Sequence, residues 1–293
     1  MKTRKLLAVM ATGVLATSLL GACSSNQSNS NQVQSVDEAK TVGFMQLANE
    51  NTERIWFKVN DSNDDGEISK DDRVDRIFII KDGKTDVFHG FDATLADFKD
   101  KSDKEVIDLI QQMDIKYVEN EVEELIASIN GKIGRIEDHI KELQDDEEYQ
   151  NAPGFHKNDI DSANEEIQHY QKKITEVEKL EYNDIKSQYT NYTIKATAKT
   201  DSSGNNVASE EIILPEPFEF SRLYISDNPS QPRSLTLEVR DTSYEVKFPV
   251  QGDIYKKFYK GYQIDSSFFV TTSLDNSMNL GLDTLDTKNV TEE

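Results

Sequence analysis

Apolar residues recur with two different periods along this chain, and the changes of period divide it into regions. Between 53 and 91 the period is two. Ile55, Phe57 and Val59 alternate, and an apolar strand runs from Val74 to Ile80. Lys81-Asp82-Gly83-Lys84 follows, where Asp-Gly suits a tight hairpin, and Thr85 to Phe88 returns. From 94 to 188 the steps are three and four. Thr94 or Ser102 caps short helices whose apolar face holds Val106, Ile107, Leu109, Ile110 and Met113. Val118, Val122, Leu125, Ile126, Ile129, Ile133, Ile136, Ile140 and Leu143 then mark one long helix. After a break at Asn151-Ala152-Pro153-Gly154, Asp159 caps a second, carrying Ile160, Ala163, Ile167, Tyr170, Ile174, Val177 and Leu180. Helices over 117–147 and 159–187 would span about 46 and 43 Å at 1.5 Å per residue. Their matched lengths and short link predict an antiparallel hairpin.

Beyond 190 the period returns to two. Tyr192, Ile194, Ala196 and Ala198 precede the turn Asp201-Ser202-Ser203-Gly204, and Val207 to Leu214 pairs back. Leu235, Leu237 and Val239 lead to a turn at Asp241-Thr242-Ser243, followed by Tyr244, Val246 and Phe248. Phe268 to Thr272 and Met278 to Leu282 are expected to form the last pair. The fold class predicted is α+β: a β-rich barrel or sandwich with an inserted long antiparallel helical hairpin. An N-terminal β part (37–93) and a C-terminal β part (189–293) flank the insertion (94–188). Insertion into a surface connection costs little loop entropy; two independent domains are the alternative.

The first residues follow a different rule. Lys2, Arg4 and Lys5 precede an apolar run from Leu6 to Leu20, and Leu20-Gly21-Ala22-Cys23 closes it. That run, about 15 residues, is short of the roughly 20 that cross a bilayer as a helix. It has the charged start and small-residue end of a removable signal. The expectation is a lipoprotein signal peptide over 1–22, cleaved between Ala22 and Cys23, with the Cys23 thiol carrying a diacylglyceryl (palmitate-bearing) group. Cys23 is the only cysteine, so no intramolecular disulfide exists. Two acyl chains anchor stably where one does not. Residues 24–36, rich in Ser, Asn and Gln, read as a disordered tether reaching roughly 20 Å. The predicted station is the outer face of a Gram-positive cell membrane.

The 33 Lys and Arg against 55 Asp and Glu give a formal charge of −22, and loss of Lys2, Arg4 and Lys5 takes it to −25. Such a balance argues against nucleic acid as a partner. It makes the acidic stretch 61–72 a candidate cation site. Asp61, Asn63, Asp65, the Glu67 carbonyl and Asp72 fit a twelve-position calcium loop, with Gly66 at its turn. The loop ends in Asp instead of the usual Glu, and its flanks read as strands, so a water-exposed turn is the competing reading.

Other local chemistry is sparse. His89, His139, His156 and His169 form no close metal pair, although His139 and His169 lie on opposite arms of the hairpin. No serine elbow, second cysteine or phosphate-cradling glycine loop occurs. Trp56 reads as core, and Tyr255, Phe258, Tyr259 and Tyr262 as strand packing, with an exposed aromatic patch as the alternative. Gly131 and Gly134 inside the first long helix predict a kink or a close helix approach.

The strand segments resemble a group of Gram-positive surface lipoproteins to which no reaction is assigned. The likeness is carried by Ile55-Trp56-Phe57-Lys58-Val59, Ile68 to Val74 and Phe78 to Lys84. Ile254-Tyr255, Gly261-Tyr262, Val270-Thr271, Leu282-Asp283 and Thr287 to Val290 extend it. It covers about half the chain, and implies that Ile68 to Val74 is a turn into a strand. The expected function is a non-catalytic binding or envelope-interaction role, with a protein partner met through the hairpin. Alternatives are a secretion foldase or chaperone, an enzyme without a recognisable motif, or a transporter solute receptor. The last would show strand–helix alternation through two lobes, whereas helices here are bunched centrally.

Overall fold

The computed structural model describes residues 41–147, 151–152, 154, 156–216 and 240–293. The signal 1–22, Cys23, the tether, Pro153 and the alternating Leu235, Leu237 and Val239 lie outside them. The described chain opens with β1 (Thr41–Val42) and α1 (Phe44–Ala48), then β2 (Arg54–Asn60), β3 (Arg73–Lys81) and β4 (Lys84–His89). Asp82 and Gly83 both take positive φ, 54° and 75°, which is the backbone a two-residue hairpin needs.

The helices start where side chains satisfy their free N–H groups. Thr94 and Asp97 form a capping box on a 3-10 turn over Leu95–Phe98. Ser102 and Glu105 form another: Glu105 Oε2 accepts from the Ser102 N–H at 2.8 Å and Ser102 Oγ from the Glu105 N–H at 3.4 Å. From there α2 (Asp103–Asp145) runs 43 residues without interruption. The short helix and long helix expected from the sequence are thus one element, because nothing between Met113 and Tyr117 breaks it. The second arm, α3 (Lys157–Val177), is shorter than expected. The chain turns after it and α4 (Tyr182–Lys186) brings it back to the sheet. Gly131 and Gly134 have open space where a Cβ would stand, so they mark no close helix approach.

Strands β5 (Tyr192–Thr193), β6 (Lys195–Thr200), β7 (Val207–Glu216), β8 (Arg240–Ile254), β9 (Lys257–Ile264), β10 (Ser267–Thr271), β11 (Asn279–Leu280) and β12 (Val290–Glu292) follow. Ten of the strands form one sheet in the order β12-β6-β7-β8-β9-β10-β2-β3-β4-β5, and β1 pairs with β11 apart from it. Since β10 pairs with β2, both strand regions belong to the same sheet. Only Ile194 separates β5, at one end of the order, from β6, beside the other end. The sheet therefore curls back on itself, yet its ladder does not close into a barrel.

Two strand expectations are corrected. Asp241-Thr242-Ser243 is no turn: it lies inside the 15-residue β8, where Arg240 to Val246 pair with β7. Phe268 to Thr272 and Met278 to Leu282 do not pair with each other. β10 sits between β9 and β2, and β11 joins β1.

Both faces of the sheet are covered around β9, β10, β2, β3 and β4. On one, Trp56, Phe78, Tyr262 and Phe269 pack with Phe44, Met45 and Leu47 of α1, continuous with Val118, Leu125, Ile129, Ile133, Ile167 and Tyr170 of the hairpin. On the other, Ile55, Phe57, Val59 and Phe268 pack with Leu95, Phe98, Val106 and Ile110. Strand β2 is buried on both sides, which is why its apolar run is continuous at Ile55-Trp56-Phe57. Tyr259 and Tyr262 are buried, so of the aromatic group only Tyr255 is widely exposed.

Candidate functional site

The acidic loop joining β2 to β3 turns its carboxylates inward on its own backbone. Asp61 accepts from the N–H groups of Asn63, Asp65 and Gly66 at 3.2, 3.4 and 2.8 Å, and Asp65 from that of Glu67 at 2.9 Å. Asp72 is fully buried. Its Oδ1 accepts from the Ser62 N–H at 3.1 Å and the Ser69 hydroxyl at 3.2 Å, and its Oδ2 from the Ser69 N–H at 2.7 Å. Among the described residues no three His, Cys, Asp or Glu side chains gather as metal ligands. Asp61, Asn63, Asp65, Glu67 and Asp72 are held here as a hydrogen-bonded turn.

A denser polar constellation lies where the helical hairpin meets the sheet. Asp114 stands one turn beyond Ile110 on the buried face of α2 and is 0% exposed. Its Oδ1 accepts from the backbone N–H of His89, at the end of β4, at 2.9 Å and from His89 Nδ1 at 2.7 Å. Its Oδ2 accepts from the Tyr182 hydroxyl at 2.9 Å and from Lys186 Nζ at 3.2 Å, both on α4. Lys186 Nζ also donates to the Val87 carbonyl and lies 3.2 Å from the centroid of the Phe88 ring. The His89 ring stacks on Tyr117 at 3.8 Å and meets the edge of Tyr189 at 6.4 Å. Strand, long helix and short helix are thereby fastened through one carboxylate.

The charges follow from burial and pairing. Burial pushes the Asp114 carboxyl up, but the His89 hydrogen bond and the Lys186 charge outweigh it and hold it at about 2. Burial draws Lys186 down to about 8 against the pull of Asp114. Burial also lowers His89, again opposed by Asp114. The site at neutral pH is therefore one ion pair with a neutral imidazole. Because an ionised carboxylate only accepts, the imidazole proton sits on Nδ1. Nε2 then presents a lone pair with no donor beside it, and the Tyr189 hydroxyl is likewise buried without a partner.

An aspartate orienting a histidine in this way is the arrangement of a general base. Here the base faces protein: His89 is 2% exposed and lies under Tyr117. What the arrangement does chemically is lock three elements together. The sequence carried one signal for it, an acid at the i+4 step of the apolar stripe Val106-Ile110-Asp114-Val118, easily lost among 55 acids. Of the other histidines, His139 borders a shallow hollow of about 320 Å³ between the helices, with Lys132, Arg135, Glu166 and Tyr170, and His169 packs edge-on against Tyr170. Cys23 and Ala22 lie outside the described residues. Comparison with protein-family models, curated proteins and solved structures gives no match to this chain.

Proposed function

We propose that this chain is a lipid-anchored, non-catalytic binding protein of the outer membrane face of a Gram-positive cell, presenting a braced helical hairpin to an envelope protein. The observation that carries the binding role is the Asp114 cluster, which fixes the root of the hairpin to the sheet through a fully buried carboxylate paired with the largely buried Lys186. An arm held at a set angle serves recognition better than one that swings, because less freedom is lost on binding. The anchoring half of the reading rests on Leu20-Gly21-Ala22-Cys23 and on Cys23 being the sole thiol. The foldase alternative calls for an open apolar groove on the hairpin. Leu125, Ile129, Ile133 and Ile167 are instead buried in the seam.

Two experiments test the two halves. Cells fed an alkyne-bearing palmitate should label the wild-type chain and not Cys23→Ala, and only the wild type should stay with the membrane. Label on the variant, or none on either, overturns the anchor. A photo-crosslinking residue at the exposed positions Glu137 or Gln168 of the arm should give one discrete adduct in intact cells, and one at Lys256 none. Adducts from Lys256 alone, or from neither place, overturn the role of the arm.

A further inference from the structure

A second buried polar pair lies far from the hairpin root in sequence, and among the described residues it has no countercharge. Glu210 of β7 and Asp283, just beyond β11, are each 1% exposed. Asp283 serves as a helix cap from 238 residues away: its carboxylate accepts from the N–H groups of Met45 at 2.5 Å and Gln46 at 2.9 Å, at the start of α1. Gly43 approaches so closely that a Cβ there would stand 2.4 Å from the Asp283 carboxyl carbon. Glu210 Oε2 accepts from the Asp283 backbone N–H at 2.8 Å, and Glu210 Oε1 is buried with no donor beside it.

Every group facing the pair leaves a second negative charge unbalanced. Across the ladder Glu210 has Ala198 of β6 and Val246 of β8. From α1 come only backbone N–H groups, and from beyond β11 the Thr287 hydroxyl, which binds Asp283. Tyr262 of β9 is close enough to feel both carboxyls, and its hydroxyl donates to the Val42 and Gly281 carbonyls. Among the described residues no basic side chain pairs with either carboxyl. Two adjacent carboxylates in such a place cannot both ionise. Asp283 keeps the charge, since the α1 N–H groups stabilise it, and Glu210 keeps a proton.

We propose that Glu210 and Asp283 form a one-proton latch that fastens the N-terminal segment Thr41–Ala48 to the sheet, closed while Glu210 is protonated and loosened when that proton leaves to solvent. The geometry gives the proton a place, on the otherwise unpartnered Oε1 of a carboxyl that interacts with the Asp283 side chain, and gives its loss a consequence, repulsion directly at the cap of α1. Burial first, and the Asp283 charge second, push Glu210 up to about 8, so the latch opens on the alkaline side of neutrality. The inference is independent of the anchoring reading.

Hydrogen exchange of the full chain tests it, with protection expressed relative to the intrinsic rate at each pH. Between pH 5 and 9 protection of the Met45 and Gln46 amides should fall on the order of a thousand-fold, given a carboxyl near 8 when latched and near 4.5 when free. Peptides from β2 should keep their protection. Glu210→Gln mimics the protonated acid and should hold the segment protected at both pH values. Should that variant fold poorly, the wild-type amide shifts of Met45 and Gln46 still decide, with an expected midpoint near 8. Flat protection and flat shifts from pH 5 to 9 in the wild type, or a variant that loses protection in parallel, overturn the latch.

Discussion

Replacing Asp114 by Asn keeps the shape of the hairpin root and removes the buried anion at its centre. Asn can still accept from His89 through Oδ1, but its amide then turns N–H groups toward Tyr182 and Lys186, both of which donate to Asp114 Oδ2 in the wild type. Two routes give the size of the loss. The Asp114 carboxyl falls from 3.8 to about 2, worth roughly 2 kcal/mol at pH 7 at about 1.4 kcal/mol per pH unit. Stranding one member of a buried ion pair costs about 3–5 kcal/mol. Lys186 partly escapes that cost by shedding its proton, because burial has already drawn it to about 8. A destabilisation of about 2–4 kcal/mol follows, or a Tm lowered by roughly 5–15 °C for a body of this size. The sign of its pH dependence is fixed: a depressed carboxyl contributes fully above pH 3.8 and loses that contribution as pH falls toward 2. Urea denaturation followed by circular dichroism at pH 7, 4 and 2.5 should show wild type and variant converging as the solution is acidified. A difference under about 1 kcal/mol at pH 7, or one unchanged at pH 2.5, would refute the account. Adding Lys186→Met to Asp114→Asn should cost less than the two single losses combined, since neither charge is then stranded.

Three further outcomes can be checked. Trp56→Ala should cost about 3–5 kcal/mol in urea denaturation, because Trp56 is fully buried, stacks on Phe269 at 4.9 Å and meets Phe44 edge-on at 5.3 Å; a loss under about 1 kcal/mol would contradict that packing. Calorimetry at millimolar calcium should give no saturable heat for the wild type or for Asp61→Ala with Asp65→Ala, since Asp72 is committed to Ser62 and Ser69; a wild-type isotherm lost in the variant would restore the loop as a cation site. Stability of the wild type should fall as pH rises from 6.5 to 8, because Glu210 disfavours folding as pH rises from 4.5 toward 8, while the opposing cost of keeping His89 neutral acts only below 6.5. Stability that is flat or rises from pH 6.5 to 8 would show that Glu210 is not buried in the state assigned.

What the sequence revealed depended on whether a signal was local. The hairpin at Asp82-Gly83 and the strand at Ile55 to Val59 were legible because one short stretch holds both the turn residues and the alternation. The long helix was legible as a stripe, but its start was not. The capping box at Ser102 and Glu105 opens the same helix that carries Ile140, and a stripe that shifts from one sheet face to the other looks like two helices. Strand β8 is not legible at Asp241-Thr242-Ser243 because a polar triplet on a half-exposed strand has the composition of a turn, and only pairing with Ile213 to Pro215 makes it a ladder. The buried polar groups were illegible for a plainer reason. Lys186 is 72 residues from Asp114, and Asp283 is 73 from Glu210; among 55 acids nothing local distinguishes the buried ones.

Both buried polar clusters sit where segments distant in sequence must be joined, and that placement bears on why they are polar. An apolar contact of the same volume would be at least as stable as a buried ion pair, and removing both charges from such a pair is often neutral or stabilising. What an apolar contact lacks is direction: Ile and Leu pack tolerably in several registers, whereas Asp114 is satisfied only when the His89 backbone, its Nδ1, the Tyr182 hydroxyl and Lys186 Nζ converge together. A long two-helix arm has a heptad-like seam that could slide by a turn against the sheet, and a slide of one turn would carry Asp114 about 5.4 Å from all four donors. The same reasoning applies to Asp283, which accepts from Met45 and Gln46 only if α1 begins at Phe44. The two carboxylates thus act as register pins, one for the arm and one for the N-terminal segment. Their opposite protonation requirements follow from a single difference: Lys186 stands beside the first, and another acid beside the second.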